Sequence, residues 1–127
     1  MSKKLIFAVL LGILCGCSGI DHDSRKELSE TFVAAIAQGE EDQVWDAFAP
    51  SIRENLLAMY GDDEEKAKSE LLKNLQQGLK KRYEISDFDD FTESRKFKTA
   101  VKTLMSSSSE NFVQQDDKWY LSVDLSK

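Results

Sequence analysis

The hydrophobic pattern of this chain changes period near Tyr83, and that change limits the possible folds more than any other feature. Before it, apolar residues recur three and four apart. Leu28, Phe32, Ala35 and Ile36 form such a row behind Ser24-Arg25-Lys26-Glu27, which fits a capping box with Ser at the N-cap and Glu at N3. Gly39 is placed to end that helix. A second helix covers roughly Glu40 to Phe48, with Val44, Trp45 and Phe48 as its stripe. Pro50 disfavours a helical residue before it and suits the first turn of a third helix, "SIRENLLAMYG", with Ile52, Leu56 and Met59 inward. A fourth opens on the acidic "DDEEK" and carries the row Ala67, Leu71, Leu75 and Leu79, flanked by Leu72. Gly78 costs its last turn about 1 kcal/mol relative to Ala, while Lys80, Lys81 and Arg82 suit its C-terminus.

After Tyr83 the pattern alternates. "YEISDFDDF" predicts a first strand whose phase shifts at Asp87-Phe88, as at a bulge. "KFKTAVKTLM" predicts a second, with Phe97, Thr99, Val101, Thr103 and Met105 on one face. "ENFVQQ" and "WYLSVDL", joined by a tight turn at "DDK", predict a closing hairpin with Trp119, Leu121, Val123 and Leu125 inward. Helices followed by a meander predict an α+β fold: three or four N-terminal helices on the concave side of a curled antiparallel sheet of three or four strands.

The N-terminus predicts an address. Lys3 and Lys4 precede an apolar run from Leu5 to Leu14 that ends in small residues, the layout of a secretory signal peptide. A spanning helix needs about 20 apolar residues, and Asp21 and His22 close the run before that. Leu14-Cys15-Gly16-Cys17 resembles the bacterial lipobox, with Leu at −3, a small residue at −1 and the lipidated Cys at +1. Cys15 departs from the usual Ala, Ser or Thr at −2. As the acceptor it would leave bulky Leu14 at −1, so the resemblance assigns the lipid to Cys17. A metal or redox pair finds no further Cys and only His22 beyond Cys17, short of the four ligands a structural zinc takes. The resemblance divides the chain into a signal at 1–16, a lipidated N-terminus and tether at 17–24, and one domain at 25–127. Ser18, a non-Asp residue after the acceptor, resembles the outer-membrane sorting signal of Gram-negative bacteria.

Removing Lys3 and Lys4 with the signal takes the formal charge from −6 to −8. An acidic domain excludes nucleic acid as a partner, since binding needs a basic footprint. It also argues against electrostatic docking on anionic lipid, leaving membrane attachment to the acyl chains. No disulfide is possible within the domain, so packing alone must hold it. The tether Ser18 to Ser24 could reach about 25 Å when extended, which keeps the domain close to the bilayer.

"FVAAIAQGEEDQVWDAFAPSIRENL" looks like the opening of nuclear transport factor 2-like domains, and "FVQQDDKWYLSV" is similar to their closing hairpin. The likeness is greatest to small lipoproteins of that superfamily. It implies a cone with an apolar pocket between the first helix and the sheet, to which Phe32, Trp45, Phe48, Tyr83, Val101 and Trp119 are candidate lining. The same six fit an ordinary core. The resemblance implies no cofactor and brings no catalytic motif; members range from isomerases to scaffolds, and fold does not settle function.

The chemical inventory is thin. With no Cys after Cys17 and no His after His22, the Cys–His and Ser–His mechanisms have no residues to use. His22 reads as a solvated linker residue. Superfamily isomerases use a pocket Asp, which makes Asp46, Asp87, Asp89 and Asp90, near Tyr83 or Tyr120, the candidate bases. Asp46 also fits the solvent face of its helix, and the Asp87–Asp90 run fits a charged sheet edge. "DFDD" lacks the Gly and bidentate Glu of a calcium loop, so no metal site is expected. The sequence therefore predicts a lipid-anchored, non-catalytic binding module of the bacterial envelope, with an envelope protein or a small apolar ligand as its partner. An Asp-based pocket enzyme is the alternative.

Overall fold

The computed structural model describes residues 19–107 and 109–123, so Cys15, Cys17 and the predicted inward Leu125 lie outside the described residues. The order is α1 (Arg25–Gln38), α2 (Glu41–Asp46), α3 (Pro50–Met59), α4 (Glu64–Tyr83), a 3-10 turn (Phe91–Glu93), α5 (Arg95–Met105), a second 3-10 turn (Ser109–Asn111), β1 (Phe112–Gln115) and β2 (Lys118–Leu121). The class is α+β. Among the described residues, five α-helices accompany one antiparallel sheet of two strands.

The four N-terminal helices follow from their caps and apolar rows. Ser24 Oγ accepts from the Glu27 N–H at 3.0 Å, and Gly39 closes α1 at φ 75, a left-handed value that glycine adopts without cost. Pro50 stands at the start of α3, and the Asp63 carboxylate caps α4 through the Lys66 N–H at 3.1 Å. Leu28, Phe32, Ile36, Val44, Trp45, Leu56, Ala67 and Leu71 are all buried, in one core that α1 crosses.

Two predicted strands are absent. "KFKTAVKTLM" is helix α5, because its apolar residues satisfy both periods. Phe97, Ala100, Val101, Leu104 and Met105 fall at i, i+3, i+4, i+7 and i+8, and the helix turns all five toward the core while Thr99 stays exposed. Ser94 supplies the deciding signal: it caps the helix through the Phe97 N–H at 3.3 Å. "YEISDFDDF" is no strand either. Tyr83 ends α4, Glu84 and Asp90 take left-handed φ values of 55 and 56, and the segment turns back instead of extending. Its aromatics pack edge to face, Phe88 on Phe91 at 5.5 Å and Phe91 on Phe97 at 5.7 Å, tying the loop to α5. The curled sheet of three or four strands is therefore corrected to one hairpin among the described residues.

That hairpin pairs Phe112 with Leu121 through Gln115 with Lys118, around a turn in which Asp116 and Asp117 both have positive φ, 53 and 64. A two-residue turn with both central φ values positive is the type that matches strand twist, and it favours Gly at its second position. Asp117→Gly is expected to raise unfolding stability by about 1 kcal/mol, read as a higher urea midpoint at constant slope.

The outer edge of β2 is covered along its length. The Leu121 N–H donates to the Ala47 carbonyl, and its carbonyl accepts from the Ala49 N–H, both at 2.8 Å. Two residues earlier the Trp119 N–H donates to the His22 carbonyl at 2.9 Å, and His22 Nδ1–H donates back to the Trp119 carbonyl at 2.7 Å. The His22 ring also lies 4.6 Å from that of Tyr120. His22 is thus not a solvated linker residue. The described residues of the tether form a strap, pinned again where the Asp21 N–H donates to Thr31 Oγ1 at 3.0 Å.

Candidate functional site

The six aromatic and aliphatic candidates do not line one cavity. Phe32, Trp45, Phe48 and Val101 are buried, and Phe32 meets Phe48 edge to face at 5.5 Å in the core. Trp119 is half-buried on β2 beside the strap. Only Phe32 and Tyr83 come together at an opening, a groove of about 320 Å³ between α1, α4 and α5. Its apolar walls come from Val33, Ile36, Leu75, Leu79 and Leu104, with Arg82 as its one charged group. Leu75, Leu79 and Tyr83 are only half-buried, because the C-terminal half of α4 continues past the last buried pair, Leu71 and Leu72. The groove is a product of that overhang.

A second cavity, about 490 Å³, lies on the other side of α5, against the first two turns of α1. Val101 lines this one, together with Phe97 and Met105; its rim holds Lys26, Lys98 and Lys102 against a single carboxylate, Glu30. The two cavities differ in what they offer. The first is apolar with one cation at its edge; the second is an apolar floor under a cationic rim.

The candidate bases lie at neither, although Asp87 and Asp89 line a separate polar hollow of about 260 Å³ with Glu84, Ser94 and Lys96. Asp46 sits on the outside of α2, its side chain 67% exposed, with the Arg53 guanidinium of α3 at 3.7 Å. Asp87 caps its own turn by accepting from the Asp89 N–H at 2.9 Å, and Asp87, Asp89 and Asp90 are all exposed. Tyr83 lines the groove and Tyr120 faces His22, so neither phenol meets one of these carboxylates.

One acidic cluster escaped the sequence reading. Asp21, Asp23 and Glu27 bring carboxylate oxygens within 4.8 Å of one another, because the strap folds back over the first turn of α1. Asp21 Oδ1 accepts from the Asp23 N–H at 2.9 Å. A hydrogen bond from Asp21, and then its charge, push the Glu27 carboxyl above the ordinary carboxylate range. The capping box is accordingly half made: Ser24 caps, while Glu27 is turned to Asp21.

A carboxyl whose pKa is raised on folding is protonated more readily in the folded than in the unfolded chain, so its contribution opposes folding at neutral pH and is relieved as pH falls into the carboxylate range. Asp21→Asn keeps the acceptor for Asp23 and removes the charge beside Glu27. It is expected to slow exchange of the Trp119 amide at neutral pH, with the gain over the parent protein shrinking as the medium is acidified. An unchanged protection at both pH values would show that the carboxylates do not strain the strap.

Lys68 forms the other resolved charge cluster, held by Asp42 at 2.9 Å and Glu64 at 3.3 Å, which pull its ammonium above the usual lysine range. It joins α2 to the first turn of α4.

No protein-family model, curated protein or solved structure matches this chain.

Proposed function

We propose that this protein is a lipid-anchored bacterial envelope protein whose folded domain works as a non-catalytic binding module. The observation that carries the reading is Leu14-Cys15-Gly16-Cys17 at the end of a signal-type apolar run, followed within a few residues by the strap and the folded domain. Cys17 is the acceptor of the acyl chains, and Cys15 departs with the signal. The binding element of this reading is the apolar groove of α1, α4 and α5. Its lining holds no carboxylate and no histidine, which favours binding over acid–base chemistry there. A small apolar ligand is the second reading, favoured by the groove's volume, which falls at the lower end of small-molecule sites. The Asp-based enzyme is the weakest, since its candidate bases are exposed and the hollow that Asp87 and Asp89 line holds neither Tyr83 nor Tyr120.

The nuclear transport factor 2-like form of the α+β class draws support from the opening order of helix, glycine cap and Trp-bearing second helix. The two-stranded sheet of the described residues stands against its cone.

Metabolic labelling with a fatty acid, followed by membrane fractionation, tests the anchored reading. Label and membrane association are expected to be lost entirely in Cys17→Ala and retained in Cys15→Ala. Loss of both in Cys15→Ala alone would move the acceptor to the other cysteine. An unlabelled parent protein would end the reading.

A further inference from the structure

The formal charge of the chain hides a division of charge that the fold turns into a surface. Residues 71–83 and 95–105 hold Lys73, Lys80, Lys81, Arg82, Arg95, Lys96, Lys98 and Lys102 and not one Asp or Glu, although the whole chain carries −6. Helix α5 is the concentrated half of this division: a basic amphipathic helix with four cations and no anion. Its apolar stripe of Phe97, Val101 and Met105 is not fully spent in the core, because it also floors the cavity of about 490 Å³. Lys98 and Lys102 stand exposed over that floor, and Lys26 faces them from α1. Among the described residues no carboxylate pairs with any of the three within 4.0 Å. Glu30 is the one anion in the lining.

The position of this surface is as informative as its chemistry. The strap leaves the fold beside the first two turns of α1, where the Asp21 N–H meets Thr31 and its carboxylate meets Glu27. The cavity opens on those same two turns, through Lys26 and Glu30. Seven residues of helix rise only about 10 Å, so the chain's exit toward position 17 and the lysine rim belong to one end of the molecule. Resting on the anchored reading, we propose that α5 and the first turn of α1 form a membrane-docking face that takes the anionic phospholipid headgroups of the bilayer holding the anchor. Exposed lysines that line an apolar floor suit the headgroup boundary, where long cationic side chains can cover apolar surface and keep their charge in water. The acidic parts of the domain are repelled by the same surface, and of the two acid-free stretches α5 is the one whose lysines meet the turns of α1 beside the strap. The anchor supplies a high local concentration of lipid, so a weak site suffices. Screening limits such attraction to about 8 Å at physiological salt, a distance the short tether keeps within reach.

The test uses the acylated protein in vesicles of phosphatidylcholine, with and without phosphatidylglycerol. Amine-reactive labelling is quantified by mass spectrometry at Lys26, Lys98 and Lys102, with exposed Lys66 and Lys73 on α4 as internal references. In phosphatidylglycerol vesicles the three rim lysines are expected to label roughly fivefold more slowly than in phosphatidylcholine alone. Raising the salt to about 1 M, where screening acts within about 3 Å, is expected to remove the difference. Lys98→Glu combined with Lys102→Glu changes two exposed positions and leaves the core intact. It should abolish the protection of Lys26 with an unchanged circular dichroism spectrum, whereas the paired Arg variant should keep it. Equal labelling of the rim lysines in the two vesicle types, relative to Lys66 and Lys73, overturns the docking face. Failure of the protein to float with phosphatidylcholine vesicles overturns the anchored reading itself, and the docking face with it.

Discussion

Phe48→Ala is expected to leave the domain close to its unfolding threshold at room temperature. Phe48 is 1% exposed, and its ring meets Phe32 at 5.5 Å with the planes nearly perpendicular. It also lies where α2 has ended and the chain bridges to Leu121, so its side chain closes the seam between the helices and the hairpin. Truncating a buried Phe removes about 3–5 kcal/mol, against a total of about 5–15 kcal/mol for a domain of this size. The urea midpoint should fall accordingly, with the slope unchanged. Phe88→Ala is the control: Phe88 is half-buried on a turn, and its loss should cost much less. A Phe48→Ala variant as stable as the parent would mean that the seam is not closed by this ring.

The second large effect belongs to Leu121, and it separates side chain from backbone. Leu121→Ala keeps both 2.8 Å bonds to the Ala47 and Ala49 segment and loses only a fully buried side chain. About 2–5 kcal/mol is expected. Leu121→Pro also removes the N–H that the Ala47 carbonyl accepts, and leaving a buried acceptor without its donor adds about 1–3 kcal/mol. Proline should therefore be the more damaging of the two by at least 1 kcal/mol or so, measured as the difference between two urea curves. The excess should be accompanied by faster amide exchange at Trp119, since the same strand holds the strap. Equal losses for the two variants would remove the backbone contact from the account.

The four N-terminal helices were legible because several local signals agreed at each. Ser24 and Gly39 bracket α1, Pro50 opens α3, and the acidic start and basic end of α4 match its dipole. The Asp116-Asp117 turn was equally legible. Helix α5 was not, because Thr99, Val101 and Thr103 are β-branched and alternate, which made the shorter period look cleaner. The Ser94 cap was the discriminating residue, and it stood in the short gap between two segments read as strands. The strap left no pattern to find, because its main contact to Trp119 is backbone to backbone and needs no particular side chain beyond the His22 ring. As for the candidate site, helical stripes revealed that Phe32, Trp45 and Phe48 would be buried. They could not reveal which cavity each residue would approach, since that depends on how far α4 overhangs the core and on which side of α5 faces α1. Net charge concealed the most: an overall −6 is compatible with two stretches that hold no acid at all.

The strap also sets a timetable. His22 and Trp119, its bonded partner, are 97 residues apart in the chain. The strap therefore cannot close until the hairpin of β1 and β2 has been made and folded. On the anchored reading, the bond between Gly16 and Cys17 crosses the membrane first. Once the strap has closed, only about 10 Å of extended chain separates Cys17 from Ile20, and a membrane-bound peptidase would have to work beneath a finished domain. On that reading, the distance along the chain between two hydrogen-bonded residues would place cleavage before the closing of the strap.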